Sequence, residues 1–133
     1  MKLIFLYFLL LSTTAFSDTF WASEYLSLKQ ALQKWGDTEF KAEKFKEAAD
    51  KEKRAMATNA LKNKIYVGKP MLLVRKDLGS PDSYFFSDTI YAYEIDRPKA
   101  NKESWQLIFI PDENLENVKE IKIRKKCCYK SPL

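Results

Sequence analysis

Apolar and polar positions follow two periods along this chain, and the change comes near its middle. In the first half, Trp21, Tyr25, Leu28, Leu32 and Trp35 recur at steps of four, three, four and three, the stripe of a helix with one buried side. Asp18 or Thr19 is placed to cap this helix, and Gly36 to end it in a left-handed conformation. Residues 47–62 hold strong helix formers throughout, with Ala49, Met56, Ala60 and Leu61 as the expected buried side. Lys51, Glu52, Lys53 and Arg54 read as the solvated side of the same helix. Phe40 and Phe45 are isolated aromatics that pin the intervening connection onto the body of the domain. A third helix is set off by punctuation. Gly68 opens a turn, Pro70 suits the first helical turn, Gly79 stops the helix and Pro81 prevents its resumption. Leu72, Leu73, Val74 and Leu78 supply its apolar side.

Beyond Pro81 the period falls to two. Residues 90–95, 105–110 and 120–126 are β-branched or aromatic and partly alternating, so they read as strands. Tyr91, Tyr93 and Ile95 share one face, while Ile121 and Ile123 oppose Lys122 and Arg124. Residues 84–86 add a short strand or pack beneath a loop. The polar connections 96–104 and 111–117 fit antiparallel hairpins. Helices first and a meander afterwards make an α+β domain, its N-terminal helices packed on one face of a small antiparallel sheet.

The spacing Gly68-x5-Val74-x3-Leu78-Gly79-x-Pro81, followed by an aromatic strand, a Leu107-Ile108-Phe109 strand and a final strand, resembles the SmpA/OmlA proteins. These are small lipoproteins of the outer-membrane β-barrel assembly machinery, and the same arrangement occurs in the β-lactamase-inhibitor-protein-like fold. The resemblance spans residues 61–124 and implies helices on a small antiparallel sheet. Three departures limit it: no lipobox cysteine follows the leader, Lys69-Pro70 replaces a capping threonine, and residues 18–64 have no counterpart. The resemblance therefore implies the scaffold of an exported relative, and not membership of the barrel-assembly machine.

The leader itself is residues 1–17. Lys2 precedes an unbroken apolar run over residues 3–11, and Ala15 and Ser17 supply small residues for cleavage. Nine apolar residues in a helix reach about 13 Å, far short of the roughly 30 Å of hydrocarbon that an anchor must cross. The mature chain is then residues 18–133, a single domain of 133 − 17 = 116 residues. It divides into a helical extension over 18–64 and a helix-plus-sheet core over 65–126. A periplasmic or secreted protein without a lipid anchor is expected.

Removing Lys2 leaves 22 basic against 18 acidic residues, a net charge of +4 that is spread along the chain. Such a balance suits weak contact with anionic membrane surfaces or acidic proteins and does not point to nucleic acid. The chain has no histidine, which removes the commonest general base, the usual serine and cysteine triads and most zinc sites. Its two cysteines, Cys127 and Cys128, are adjacent. Neighbouring Cα atoms lie ~3.8 Å apart, closer than a relaxed disulfide allows. Free thiols, a vicinal redox pair and an intermolecular bridge all remain open for them. Asp112, Glu113 and Asn114 lack the glycine and terminal glutamate of a calcium loop. No cofactor or metal is expected.

Aromatics are the remaining candidates: Tyr91, Tyr93 and Trp105 as partner-binding groups, with Phe85 and Phe86 beside them. Those that stay exposed would mark a docking surface, and those that do not are core. The sequence thus points to a non-catalytic exported module that binds another envelope or secreted protein, as an envelope accessory or in an inhibitor-like role. The alternative is a thiol-dependent redox factor or enzyme built on Cys127 and Cys128. A membrane-surface binder driven by Lys and Arg is a third reading.

Overall fold

Within residues 25–97 and 104–126, which the computed structural model describes, one short strand precedes four consecutive helices, and four strands follow them. Strand β1 (Tyr25–Leu26) leads into α1 (Leu28–Trp35), α2 (Ala42–Glu47), α3 (Asp50–Asn63) and α4 (Met71–Leu78). Strands β2 (Ser83–Tyr84), β3 (Tyr91–Glu94), β4 (Ser104–Pro111) and β5 (Val118–Lys126) follow. They form one antiparallel sheet in the order β1-β5-β4-β3-β2. The fold is α+β, as the change of period predicts. Residues 1–17, read as a leader, and Asp18, Thr19, Trp21, Cys127 and Cys128 lie outside the described residues.

Register decides which side chains share a face. Tyr91 lies opposite Phe109, which lies opposite Ile121; Tyr93 lies opposite Leu107, which lies opposite Ile123. The helices cover this face. Ala31, Phe45, Met56, Ala57, Ala60, Met71, Val74 and Leu78 pack into one buried cluster with it. The helical half is therefore no appendage, because its buried side completes the core of the sheet. Each large side chain fully buried here contributes about 1.5–3 kcal/mol. Edge-on aromatic contacts link helix to sheet, strand to strand and loop to sheet: Trp35 to Trp105 at 5.5 Å, Tyr93 to Phe109 at 5.7 Å and Tyr66 to Phe109 at 5.9 Å.

The opposite face carries a smaller cluster. Phe85 folds over Ala92 and Ile108, and Tyr25, Ile90 and Ile110 pack around them half-buried. A polar thread crosses the same face, where Gln106 Nε2 donates to Ser83 Oγ (2.9 Å) and Arg124 Nη1 donates to Gln106 Oε1 (3.1 Å). The Arg124 guanidinium lies 4.1 Å from the centre of the Phe85 ring. Of the two alternatives for residues 84–86, Tyr84 ends the short strand β2 and Phe85 packs on the sheet, while Phe86 stays exposed.

Several expectations need correcting. Tyr25 is not helical. It pairs with Arg124 at the sheet edge, and Ser27 caps α1 with a capping box shared with Gln30. With the helix starting two residues beyond Tyr25 and Leu26, Ala31 becomes its buried residue and Leu32 turns outward. In α3 the buried side runs through Ala55, Met56, Ala57, Thr58 and Ala60, while Ala49 precedes the helix and is exposed. Phe45 sits on a helix of its own, α2, and its ring meets that of Phe40 at 5.2 Å. Pro70 stands just before α4, whose buried residues are Met71, Val74 and Leu78; Leu72 is exposed. Gly36 and Gly79 end α1 and α4 at φ angles of 77° and 81°, and their N–H groups donate back to Leu32 and Arg75.

Candidate docking surface

The sheet register settles where the expected binding aromatics go. Tyr93 and Trp105 are buried beneath the helices, and Tyr91 is half-buried on the same face. The Tyr93 hydroxyl donates to the Gly79 carbonyl (2.8 Å), fastening the end of α4 to β3. Burial first, and then neighbouring charges, raise its pKa far above the ordinary tyrosine value. Tyr66 is raised likewise, by burial and by donating its hydroxyl to Asp77 Oδ2 (2.8 Å). Tyr93 and Trp105 pack between helix and sheet and present no docking surface, while the half-buried Tyr91 meets the exposed Tyr84 edge-on at 6.2 Å.

Exposed large apolar groups gather elsewhere. In an antiparallel meander the β2–β3 and β4–β5 connections fall at one end of the sheet, and the β3–β4 connection at the other. At the first tip, Phe86 is 76% exposed. At the second, Leu115 is 56% exposed. Met71 N–H donates to the Glu116 carbonyl (2.8 Å), which brings the start of α4 to the same end, where Leu72 is 75% exposed. Phe86 and Leu115 both have a φ of 61°. Such a backbone suits glycine or asparagine, and a bulky side chain there costs on the order of 1 kcal/mol or more. Local bonds hold each turn: Phe85 N–H donates to Ile90 O, and Asp112 Oδ1 accepts from the N–H groups of Glu116 and Asn117. Residues 85–90 and 112–117 contain Asp88, Asp112, Glu113 and Glu116 and no Lys or Arg, so both tips are acidic.

A cleft of about 510 Å³ opens at the other end of the sheet, lined in part by Asp50, Asp82, Glu94 and Asp96. Most of these carboxylates already cap backbone groups. Asp96 Oδ1 accepts from Trp105 N–H (2.8 Å), Asp82 Oδ2 from Glu94 N–H (2.8 Å) and Asp50 Oδ2 from Arg97 N–H (3.1 Å). Burial raises the Asp96 pKa above its usual value, against the pull of the Trp105 N–H and of Arg54, whose Nη1 lies 3.9 Å away. The acids are spent on structure. Among the described residues, no group of three or more His, Cys, Asp or Glu could hold a metal ion, and no helix is long and apolar enough to cross a membrane.

Phe86 was legible in the sequence only as one aromatic among five. The sequence marks Leu115 only as a lone leucine in a run of polar residues. Comparison with protein-family models, with curated proteins and with solved structures finds no match to this chain.

Proposed function

We propose that this chain is a non-catalytic, exported binding module whose ligand is another protein, held at the end of the sheet formed by the two hairpin tips. One observation carries the reading: each tip keeps a large apolar side chain in water, at a backbone angle where glycine or asparagine would cost less. Strain retained at an exposed position is the mark of a residue kept for contact. The acidic surroundings of both tips favour a partner surface that is apolar at its centre and basic at its rim. Export rests on the leader over residues 1–17. Kinship with the SmpA/OmlA scaffold is supported by the turn, helix and stop over residues 68–81 that feed the antiparallel sheet.

A photo-crosslinking residue placed at position 86 tests the proposal, with position 51 at the far end of the molecule as control. In envelope and secreted fractions, position 86 should yield a discrete adduct with a foreign protein and position 51 should not. Unlabelled wild-type domain should compete for the adduct. The Phe86→Asn variant, more stable by about 1 kcal/mol through relief of its backbone, should fail to compete. No adduct from position 86, or the same adduct from both positions, would defeat the proposal.

A further inference from the structure

A hollow lies beside the β4–β5 tip. It measures about 240 Å³ and is lined by the apolar Leu61, Val67 and Ile121, by Lys64 and Lys119, and by Glu120, which has Lys122 3.9 Å away. A second hollow of about 430 Å³ continues it past Leu61 and Lys64 toward Leu26 and Leu28. The surrounding charges are unevenly spent. Lys62 pairs with Asp37 at 2.9 Å, and Lys122 lies 3.9 Å from Glu120 and 4.4 Å from the centre of the Tyr25 ring. Lys64 and Lys119 form no ion pair among the described residues. The position of Lys64 is partly explained by the carboxyl end of α3, which favours cations. Lys119 has no such explanation.

Groove and tip are neighbours. Gly68 N–H donates to the Val118 carbonyl and Val118 N–H to the Lys69 carbonyl, both at 2.8 Å, so the groove begins where the tip ends. One side of the molecule therefore carries an apolar projection beside Glu113 and Glu116, and next to it an apolar hollow lined in part by Lys64 and Lys119, whose one acid, Glu120, has Lys122 nearby. Leu115, between Glu113 and Glu116 along the chain, matches Leu61 and Val67, flanked by Lys64 and Lys119. Two such features side by side can both be satisfied by a twofold axis, which sets each tip into the other copy's groove.

We infer that the partner of the β4–β5 tip is a second copy of this chain, bound as a twofold dimer with Glu113 and Glu116 of each copy against Lys64 and Lys119 of the other. This rests on the reading of the tips as docking surfaces. It leaves Phe86, on the neighbouring tip, to a different protein.

Sedimentation equilibrium of the mature chain tests it. Wild type should show a reversible monomer–dimer equilibrium that weakens as salt is raised. Two variants reverse the charges, Glu113→Lys with Glu116→Lys, and Lys64→Glu with Lys119→Glu. Each alone should weaken association at least 10-fold. Their equimolar mixture should restore a heterodimer, because both contacts are then again between opposite charges. All four positions lie outside the core, and circular dichroism checks that the variants fold. A monomer at concentrations up to about 1 mM, the weak end of specific affinity, overturns the inference. So does a dimer that ignores both charge reversals, or a mixture that stays monomeric. If the chain is monomeric while position 86 still captures a foreign protein, the dimer fails and the docking reading stands. If both measurements are negative, both fail.

Discussion

Asp96 is a carboxylate that folding has drawn away from water. Its N–H donor from Trp105 and the nearby Arg54 favour the charged form, yet burial outweighs them and the pKa rises. The sign follows. An acid whose folded pKa exceeds its unfolded value of 3.8 destabilises the fold at pH values above the folded pKa. That penalty fades as pH falls, and is gone below the unfolded value. Asp96→Asn keeps an oxygen for the Trp105 N–H without the charge. It should be more stable than wild type in urea at pH 7, with the advantage shrinking toward pH 4. A variant less stable at pH 7 would mean that the attraction of Arg54 exceeds the burial cost. None of this was legible in the sequence, where Asp96 stood as one polar residue of a hairpin loop. Its burial comes partly from β4, the next strand, and partly from α3, which lies far from it along the chain.

Elements were legible where their limits are local. Gly79 and Pro81 end α4 by their own backbone restrictions, and the alternation of β5 is written in its residues. The start of α1 was not legible, because Tyr25 stands three residues before Leu28 and so satisfies a helical period equally well. What removes it from the helix is its pairing with Arg124, a contact that no local pattern announces. Ser27 then becomes the cap. Its Oγ accepts from Gln30 N–H (3.2 Å), and Gln30 Oε1 accepts from Ser27 N–H (3.0 Å). Ser27→Ala should lower the unfolding free energy by about 1 kcal/mol, while Ser27→Asp should keep most of it. Equal stability of both variants and wild type in urea would show that the junction of β1 and α1 is held by β5 alone. The burial of Tyr93 and Trp105 was illegible for a related reason. Tyr93 and Trp105 alternate correctly, but nothing in a single strand says which face the helices will cover.

Across the whole molecule, protection should follow the strand order. β4 is flanked on both sides, by β3 and by β5, and its residues from Ser104 to Phe109 are buried. β1 and β2 are edge strands of two residues each. Amide hydrogen exchange should therefore be slowest in β4 and fastest in β1 and β2, by several orders of magnitude. Uniform protection from edge to centre would contradict this division. The same order accounts for the two exposed tips. They stand at one end because the meander returns there twice, while their acidity and apolar side chains belong to the sequence of each loop.

The pairing of Tyr25 with Arg124 spans 124 − 25 = 99 positions, so the first strand of the sheet is completed by the last. A nascent chain cannot close this sheet while its tail is still being made, and links between such remote partners form slowly. Under the export proposed above, such a delay would leave the chain unfolded during its passage.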